Sequence, residues 1–200
     1  MTRYALIIAF AFECLAACGA PGTAVSVQTA SGNAGFLAPT NVPGIEVKGT
    51  SSALTATADV SRNEGGLVVQ RINARVPVNS LATGMKIRDE HMRKYIFTGS
   101  AGDMPDIRFT SDEAACVAAA KGYSCQVTGQ FLLRGIARPL TITIRVKEQG
   151  ADSFRAEGDG LIRLGDYGID PPSQFGVKPA SEIHFHMDLV ARGRTVEAGK

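Results

Sequence analysis

The 200-residue sequence contains no tryptophan, and only 6% of its residues are aromatic. A core built by this chain must therefore consist mainly of aliphatic side chains. The formal net charge is only +2 at pH 7, and charges of both signs are scattered along the chain. A nucleic-acid-binding surface needs clustered Lys and Arg, so the composition gives no support for nucleic acid as a partner.

Motifs of common catalytic and nucleotide-binding sites are also missing. The sequence has no Walker-type phosphate loop, no dinucleotide fingerprint and no nucleophile motif of a catalytic triad. We therefore expect no enzymatic activity and no cofactor.

The one long apolar run lies at the N-terminus, from Tyr4 to Phe12, after Arg3. It is shorter than the roughly 20 residues of a membrane-spanning helix and is typical of a secretory signal peptide. Leu15-Ala16-Ala17-Cys18 resembles the lipobox of bacterial lipoproteins, which implies a lipid on Cys18 and anchoring to the outer membrane from the periplasmic side. Glu13 interrupts the apolar character, so cleavage and release of an unlipidated protein is the alternative.

The sequence divides into one domain with short flanking segments. We predict a lipoprotein signal peptide over residues 1–18 and a tether over 19–23. A single barrel domain is expected over 24–193 and a tail over 194–200.

Two cysteines remain after the N-terminal segment, Cys116 and Cys125. They flank Lys121-Gly122, which is typical of a turn. Two strands meeting at that turn would bring the cysteines together, and an oxidising periplasm would favour a disulfide. A metal-binding pair is the alternative, but no neighbouring Cys or His would complete a zinc site.

Alternation of apolar and polar residues predicts about eight strands with short connections, typical of an antiparallel barrel or sandwich. Gly49 is expected to mark a bend or bulge. Gly158 and Gly160 fall on an inner face, where they indicate strong curvature or room for a ligand. The strands are expected near Ala24–Ala30, over 45–60, 66–78 and 106–111, from Cys125, from Leu140, over 153–164 and over 182–192.

The stretch from Met85 to Phe97 is the only one with a helical pattern. Met85, Met92 and Ile96 share one side of it, which predicts an amphipathic helix packed on the barrel. Methionines suit an adaptable surface, so Met85 and Met92 are also candidates for a cavity mouth. A catalytic alternative would use His91 as a base with Asp89 or Glu90, but residues one or two apart on a helix do not face each other.

His184 and His186 lie two apart on the last predicted strand and so share a face. The pair could supply two ligands to zinc, copper or haem iron, with Asp188 on the same face. The simpler interpretation is a polar, solvent-facing side of the strand.

The order of several short motifs resembles the YceI-like family of periplasmic and secreted proteins. The resemblance covers about Val25 to Arg192, although the early strand in which relatives usually carry a His has none here. It implies an extended, lipocalin-like antiparallel barrel that holds an isoprenoid or other lipid chain. The motifs are Thr83-Gly84, Arg88-Asp89-Glu90-His91, Pro105-Asp106-Ile107-Arg108-Phe109, Gly129, Leu133-Arg134-Gly135, Pro139 and Asp166-Tyr167-Gly168.

Together these observations predict an all-β, antiparallel, lipocalin-like barrel of about eight strands with one short helix. Its expected function is to bind, carry or store an elongated apolar ligand, a polyisoprenoid or fatty-acyl lipid, in the periplasm. A metal- or haem-linked redox accessory protein using His184 and His186 and a ligand-free stress-response scaffold are the alternatives. The expected apolar lining is Met85, Met92, Ile142, Ile144, Phe154, Ile162, Phe185 and Met187.

Overall fold

A computed structural model describes residues 24–63, 66–150 and 152–196. Eight strands form one closed antiparallel barrel, in which each strand pairs with its neighbours in sequence and the last pairs with the first. This confirms the predicted fold class. The strands are β1 (Ala24–Pro39), β2 (Glu46–Asn63), β3 (Gly66–Val76), β4 (Ile107–Ala119), β5 (Gly122–Leu133), β6 (Ile136–Glu148), β7 (Ser153–Arg163) and β8 (Glu182–Val196).

Helical structure in the described residues lies in the connections. The helix α1 (Lys86–Met92) continues into a π-helical turn at Arg93–Phe97, which together match the predicted helical stretch. Short 3₁₀ turns occupy Val78–Ser80 and Leu164–Tyr167. Among the described residues, no helix has both the length and the apolar character needed to cross a bilayer.

The predicted boundaries can be compared with the fold only in part. The signal peptide (1–18), the lipidation site Cys18 and the tether (19–23) lie outside the described residues. At the other end β8 runs to Val196, so the first three residues of the predicted tail belong to the strand.

The two ends of the barrel differ. At one end, the loop end, lie the connections 40–45, 77–106 and 164–181. At the other end, the turn end, β4 and β5 are joined by a tight turn, and Ala24 pairs with both Ser61 and Val196. The long segments that can shape an opening are therefore all at the loop end.

Regular and irregular pairing divide the barrel into two halves. The pairings β5–β6, β6–β7 and β7–β8 keep one continuous register. Register shifts interrupt the pairings β1–β2, β1–β8, β2–β3 and β4–β5, whereas β3–β4 keeps one register. Each extra residue at a bulge moves the following side chains to the opposite face of the sheet.

Two expectations for the early strands were wrong. Gly49 is not a bulge, because it pairs with Phe36 within a continuous stretch of register. The predicted alternation of β3 breaks at Arg71, which has φ of 49°. Val69 and Ile72 therefore both point inward, although strict alternation places them on opposite faces.

The disulfide Cys116–Cys125 joins directly paired residues of β4 and β5. Their Cα atoms are 4.1 Å apart, and both side chains are buried. This confirms the predicted disulfide and excludes the metal-pair alternative. The bond closes a short loop at the turn end of the barrel.

Removing the disulfide by replacing both Cys116 and Cys125 with Ala is expected to lower the free energy of unfolding by about 2–3 kcal/mol, because the unfolded chain regains the entropy of the open loop. For a domain of this size the melting temperature falls by about 5–10 °C. Thermal unfolding followed by circular dichroism measures the change.

A reducing agent provides the control for this prediction. It should lower the melting temperature of the wild-type protein to near that of the double variant and leave the variant itself unchanged. Equal melting temperatures for the oxidised wild type and the double variant would show that the cross-link contributes no stability.

Candidate functional site

A large cavity of about 700 Å³ occupies the barrel interior. Its volume lies within the range of small-molecule binding sites, roughly 300–1,000 Å³. All eight strands contribute to its wall, and the side chains that face it are predominantly aliphatic or aromatic. Near the turn end its wall consists of buried residues such as Val27, Leu67 and Phe154. At the loop end it is bordered by exposed residues such as Ile87 and Phe175, so its mouth is there.

All eight residues predicted to form the apolar lining lie on this cavity. Ile142, Ile144 and Phe154 are buried in the wall, and the others are distributed between the barrel wall and the segment of α1. That these residues contact a ligand stays a prediction. The remaining five are Met85, Met92, Ile162, Phe185 and Met187.

The other half of the wall was missed by the sequence analysis. It comes from β1 to β4, where bulges interrupt the alternation. These positions can be identified if the alternation is counted separately on each side of a bulge. In β3, Leu67 and Val69 face inward before Arg71, whereas Ile72 and Ala74 face inward after it. The missed residues of this half include Val27, Phe36, Leu54, Val60, Leu67, Val69, Ile72 and Phe109.

Large side chains of the wall lie over glycines of neighbouring strands. Phe36 covers Gly49, and Phe185 covers Gly160, so closely that a Cβ atom at either glycine would overlap the ring. Each ring and its glycine are directly paired, and Phe36 also pairs with Phe185, so the four residues form one row across β2, β1, β8 and β7.

Beside this row, Met187 covers Gly158, where a Cβ atom would lie 2.9 Å from the Met187 Cε. In another part of the wall, Phe109 of β4 lies over Gly129 of β5. The space that Gly158 and Gly160 were expected to leave for a ligand is therefore filled by neighbouring side chains. Because these side chains lie along the wall, they leave the middle of the barrel open.

One side of the mouth is formed by α1 and the segment before it. Thr83 donates two hydrogen bonds, from its backbone N and its Oγ1, to Asp89 Oδ1, each 2.7 Å long. Met92 is buried against the barrel, whereas Met85 is exposed at the mouth. Asp89 thus fixes the start of the helix, which supports a structural role for this charged stretch.

The electrostatics of Asp89 follow from these contacts. Burial alone raises the pKa of its carboxyl, but the hydrogen bonds from Thr83 and the positive charges of Arg93 and Arg88 outweigh burial. The pKa of Asp89 therefore lies below its ordinary value, and the carboxylate is charged at neutral pH.

The opposite side of the mouth is formed by the connection between β7 and β8. Asn41 holds this connection through hydrogen bonds to Gly176 O (3.0 Å) and from Lys178 N (2.7 Å). Gln174 Nε2 contacts His91 Nδ1 of α1. His91 therefore ties the two sides of the mouth together, a contact that the sequence did not predict.

The histidine pair of β8 lies on the outer face of the barrel. His186 Nδ1 is 2.7 Å from Asp159 Oδ1, and this hydrogen bond, followed by that from Arg145, lowers the pKa of Asp159. Asp188 is bound by Arg155 through two hydrogen bonds of 3.0 and 2.7 Å. In the part of the chain that the structure describes, no group of three or more His, Cys, Asp or Glu is arranged to hold a metal ion. His184 and His186 thus have no third ligand there.

Comparison with protein families gives a match that covers most of the chain. The family model of the YceI-like domain matches residues 26–191. A UPF0312 protein of Pseudomonas paraeruginosa is 32% identical over 117 residues, which are 56% of this chain and 56% of the relative. A UPF0312 protein of Yersinia enterocolitica is 32% identical over 112 residues, 54% of this chain and 56% of the relative. The alignments thus span about half the length of these curated relatives.

Solved structures share the fold at low sequence identity. BcnA of Burkholderia cenocepacia superposes with a TM-score of 0.62 at 20% identity, covering 80% of this chain and 96% of BcnA. A polyisoprenoid binding domain from Saccharophagus degradans gives 0.62 at 14% identity, covering 84% and 99%. The YceI protein of Campylobacter jejuni gives 0.60 at 15% identity, covering 77% and 89%.

Replacing Asp89 with Asn is expected to lower the free energy of unfolding at pH 7 by about 1–2 kcal/mol, because charge-assisted hydrogen bonds to Thr83 are weakened. The pKa of Asp89 is lower in the folded than in the unfolded chain. Its contribution is therefore complete above about pH 5 and is lost as the pH falls below about 4. Urea unfolding at several pH values measures this difference.

Glu90→Gln is the matched control, since Glu90 is an exposed neighbour on the same helix. It should change the stability little at any pH. A stability difference for Asp89→Asn that stays constant between pH 7 and pH 3 would contradict the assigned role.

Replacing Gly160 with Ala is expected to lower the free energy of unfolding by about 1–3 kcal/mol, because the new Cβ displaces the Phe185 ring. Gly165→Ala is the control, since its Cβ would meet nothing within 4 Å. Urea denaturation of both variants tests the prediction. Equal stabilities of the two variants would show that the ring over Gly160 is not constrained.

Proposed function

The chain belongs to the YceI-like family, and we propose that its barrel binds an elongated apolar ligand, a polyisoprenoid or fatty-acyl lipid, in its interior. The observation that carries this proposal is the apolar cavity of about 700 Å³ that opens at the loop end. The Saccharophagus degradans domain of the same fold is described as polyisoprenoid-binding, which supports the same class of ligand here.

Transfer of an alkyl or isoprenoid chain from water into this cavity provides the driving force. Each buried methylene contributes about 0.8 kcal/mol, so a long chain gains most of its affinity from burial alone. The inward positions of β5 to β8 supply a mainly aliphatic and aromatic surface for it. The cavity has the composition of a binding site, and our proposal includes no catalytic step.

Several of the polar side chains that line the cavity lie at its mouth. Thr83, Arg88, His91 and Gln174 all border the opening at the loop end. A ligand chain that enters the barrel would leave its polar head among these side chains, where the Arg88 guanidinium can donate hydrogen bonds to it and the Thr83 Oγ1 can accept one. The ligand is therefore expected to be amphiphilic, with its head at the mouth.

For the cellular location we propose the periplasmic side of the bacterial envelope, with a lipid anchor on Cys18. The support is the lipobox-like sequence at Leu15–Cys18 and the buried disulfide, a bond typical of oxidising compartments. Globomycin treatment of an expressing strain tests the anchor, since it blocks lipoprotein signal cleavage and should cause the precursor to accumulate.

Native mass spectrometry tests the ligand proposal. The protein is purified without detergent and measured before and after incubation with oleic acid or a polyprenol. We expect a mass increase equal to one ligand, and solvent extraction should release a long-chain lipid from the purified sample. An unshifted mass with every ligand offered would contradict the proposal.

A matched pair of variants locates the bound chain. Ala156 lines the cavity, so Ala156→Phe places a ring in the lumen and is expected to lower lipid occupancy at least about tenfold, since filling the space removes contacts of several methylenes. Ala118 is exposed on β4, and Ala118→Phe should leave occupancy unchanged. Equal occupancy of both variants would place the ligand outside the barrel.

A further inference from the structure

The mouth is surrounded by exposed apolar side chains. Phe175, Ile87, Met85 and Ile45 have exposed fractions of 105%, 66%, 53% and 44%, and all four border the cavity. We call these four residues the rim. They come from three separate connections at the loop end, so their grouping is a property of the fold and not of one local sequence. The apolar surface of the rim is continuous with the apolar wall of the cavity.

Phe175 occupies an unfavourable backbone conformation. It lies at the tip of a two-residue turn, where Gln174 and Val177 exchange backbone hydrogen bonds of 2.9 Å. Its φ is 50° and that of Gly176 is 78°, which is the left-handed pattern of a type I′ turn. Asn or Gly is favoured at such a position, and a bulky residue there is strained. A strained and fully exposed phenyl group does not stabilise the fold. Its presence therefore indicates a function other than stability.

Charges around the rim complement an anionic surface. Lys86 and Arg88 flank Ile87 on α1, and Asp89 is turned towards Thr83. Glu46, which follows Ile45, is paired with Lys48, and Asp170 of the connection between β7 and β8 is paired with Lys178, each at 2.9 Å. Across α1 and the π-helical turn that follows it, the basic residues Lys86, Arg88, Arg93 and Lys94 outnumber the acidic residues Asp89 and Glu90, so this segment carries a net positive charge beside the rim.

The chain's own predicted tether does not reach the rim. Ala24 pairs with Ser61 and Val196 at the turn end. The predicted tether of residues 19–23 extends at most about 18 Å, whereas the 16 residues of β1 rise about 50 Å along the strand. A lipid anchor on Cys18 would therefore hold the turn end at its own membrane, and the bilayer that the rim meets is a second one, on the opposite side of the molecule from the anchor.

We propose that the rim inserts into the surface of a phospholipid bilayer that contains anionic lipids. The apolar tips of Phe175 and Ile87 would enter the boundary of the acyl chains, and Lys86 and Arg88 would contact the head groups. The mouth would then open directly onto the hydrocarbon region. A lipid chain could pass between membrane and cavity without exposure to water.

The absence of tryptophan from the chain allows a site-specific test. Phe175→Trp places a single fluorophore in the rim, and Val117→Trp places one at an exposed position on β4 near the turn end. With vesicles of phosphatidylethanolamine and phosphatidylglycerol, the emission of the Phe175→Trp protein should shift to shorter wavelength and be quenched by brominated acyl chains. The emission of the Val117→Trp protein should not change, and phosphatidylcholine vesicles should give a weaker shift.

Phe175→Asn separates membrane binding from folding. Asn tolerates the positive φ, so this variant should be at least as stable as the wild type. Loss of one inserted phenyl group should nevertheless weaken vesicle binding in a flotation assay by about tenfold. Val117→Asn is the matched control and should float like the wild type.

Two outcomes would overturn the proposal. Emission from Phe175→Trp that is unchanged by vesicles would exclude insertion. A blue shift that depends on protein concentration without vesicles would identify a second copy of the chain as the partner. The proposal of membrane insertion goes beyond ligand binding. It can be wrong while the ligand-binding proposal holds, because native mass spectrometry measures lipid occupancy without vesicles.

Discussion

The rings of Phe36 and Phe185 lie over Gly49 and Gly160, and the open interior depends on this contact. An eight-stranded barrel is narrow enough for its own side chains to fill. Glycine on the neighbouring strand removes the one Cβ atom that would push each ring towards the centre. The rings therefore add apolar surface to the wall without closing the lumen, and a cavity of about 700 Å³ remains.

The mouth depends on contacts of a different kind. Asp89 binds Thr83 and fixes the start of α1, while His91 reaches Gln174 across the opening. Asn41 holds the same connection from a third side. Polar interactions thus position the segments around the opening, and burial of aliphatic side chains stabilises the wall. The two parts meet at residues such as Met92, which is buried while its helix borders the mouth.

The inward-facing residues were predicted correctly from the sequence where the strands pair in a regular register. In β5 to β8 the register is continuous, so simple alternation placed Ile142, Phe154 and Phe185 on the wall. In β1 to β4 the bulges change the inward face partway along each strand, and alternation failed at Val69. The exposed position of Phe175 at the mouth could not be predicted, because it depends on a positive φ and on neighbours that are distant in sequence.

The position of Ala24 at the turn end has a practical consequence. Strand β1 enters the barrel there, and the mouth lies at the opposite end of the same strand. Whatever is joined in front of Ala24 is held on the far side of the molecule from the opening. Proteins coupled through that end to a sensor chip or a bead would stand with their openings towards the solution, and every immobilised molecule would present its site in the same orientation.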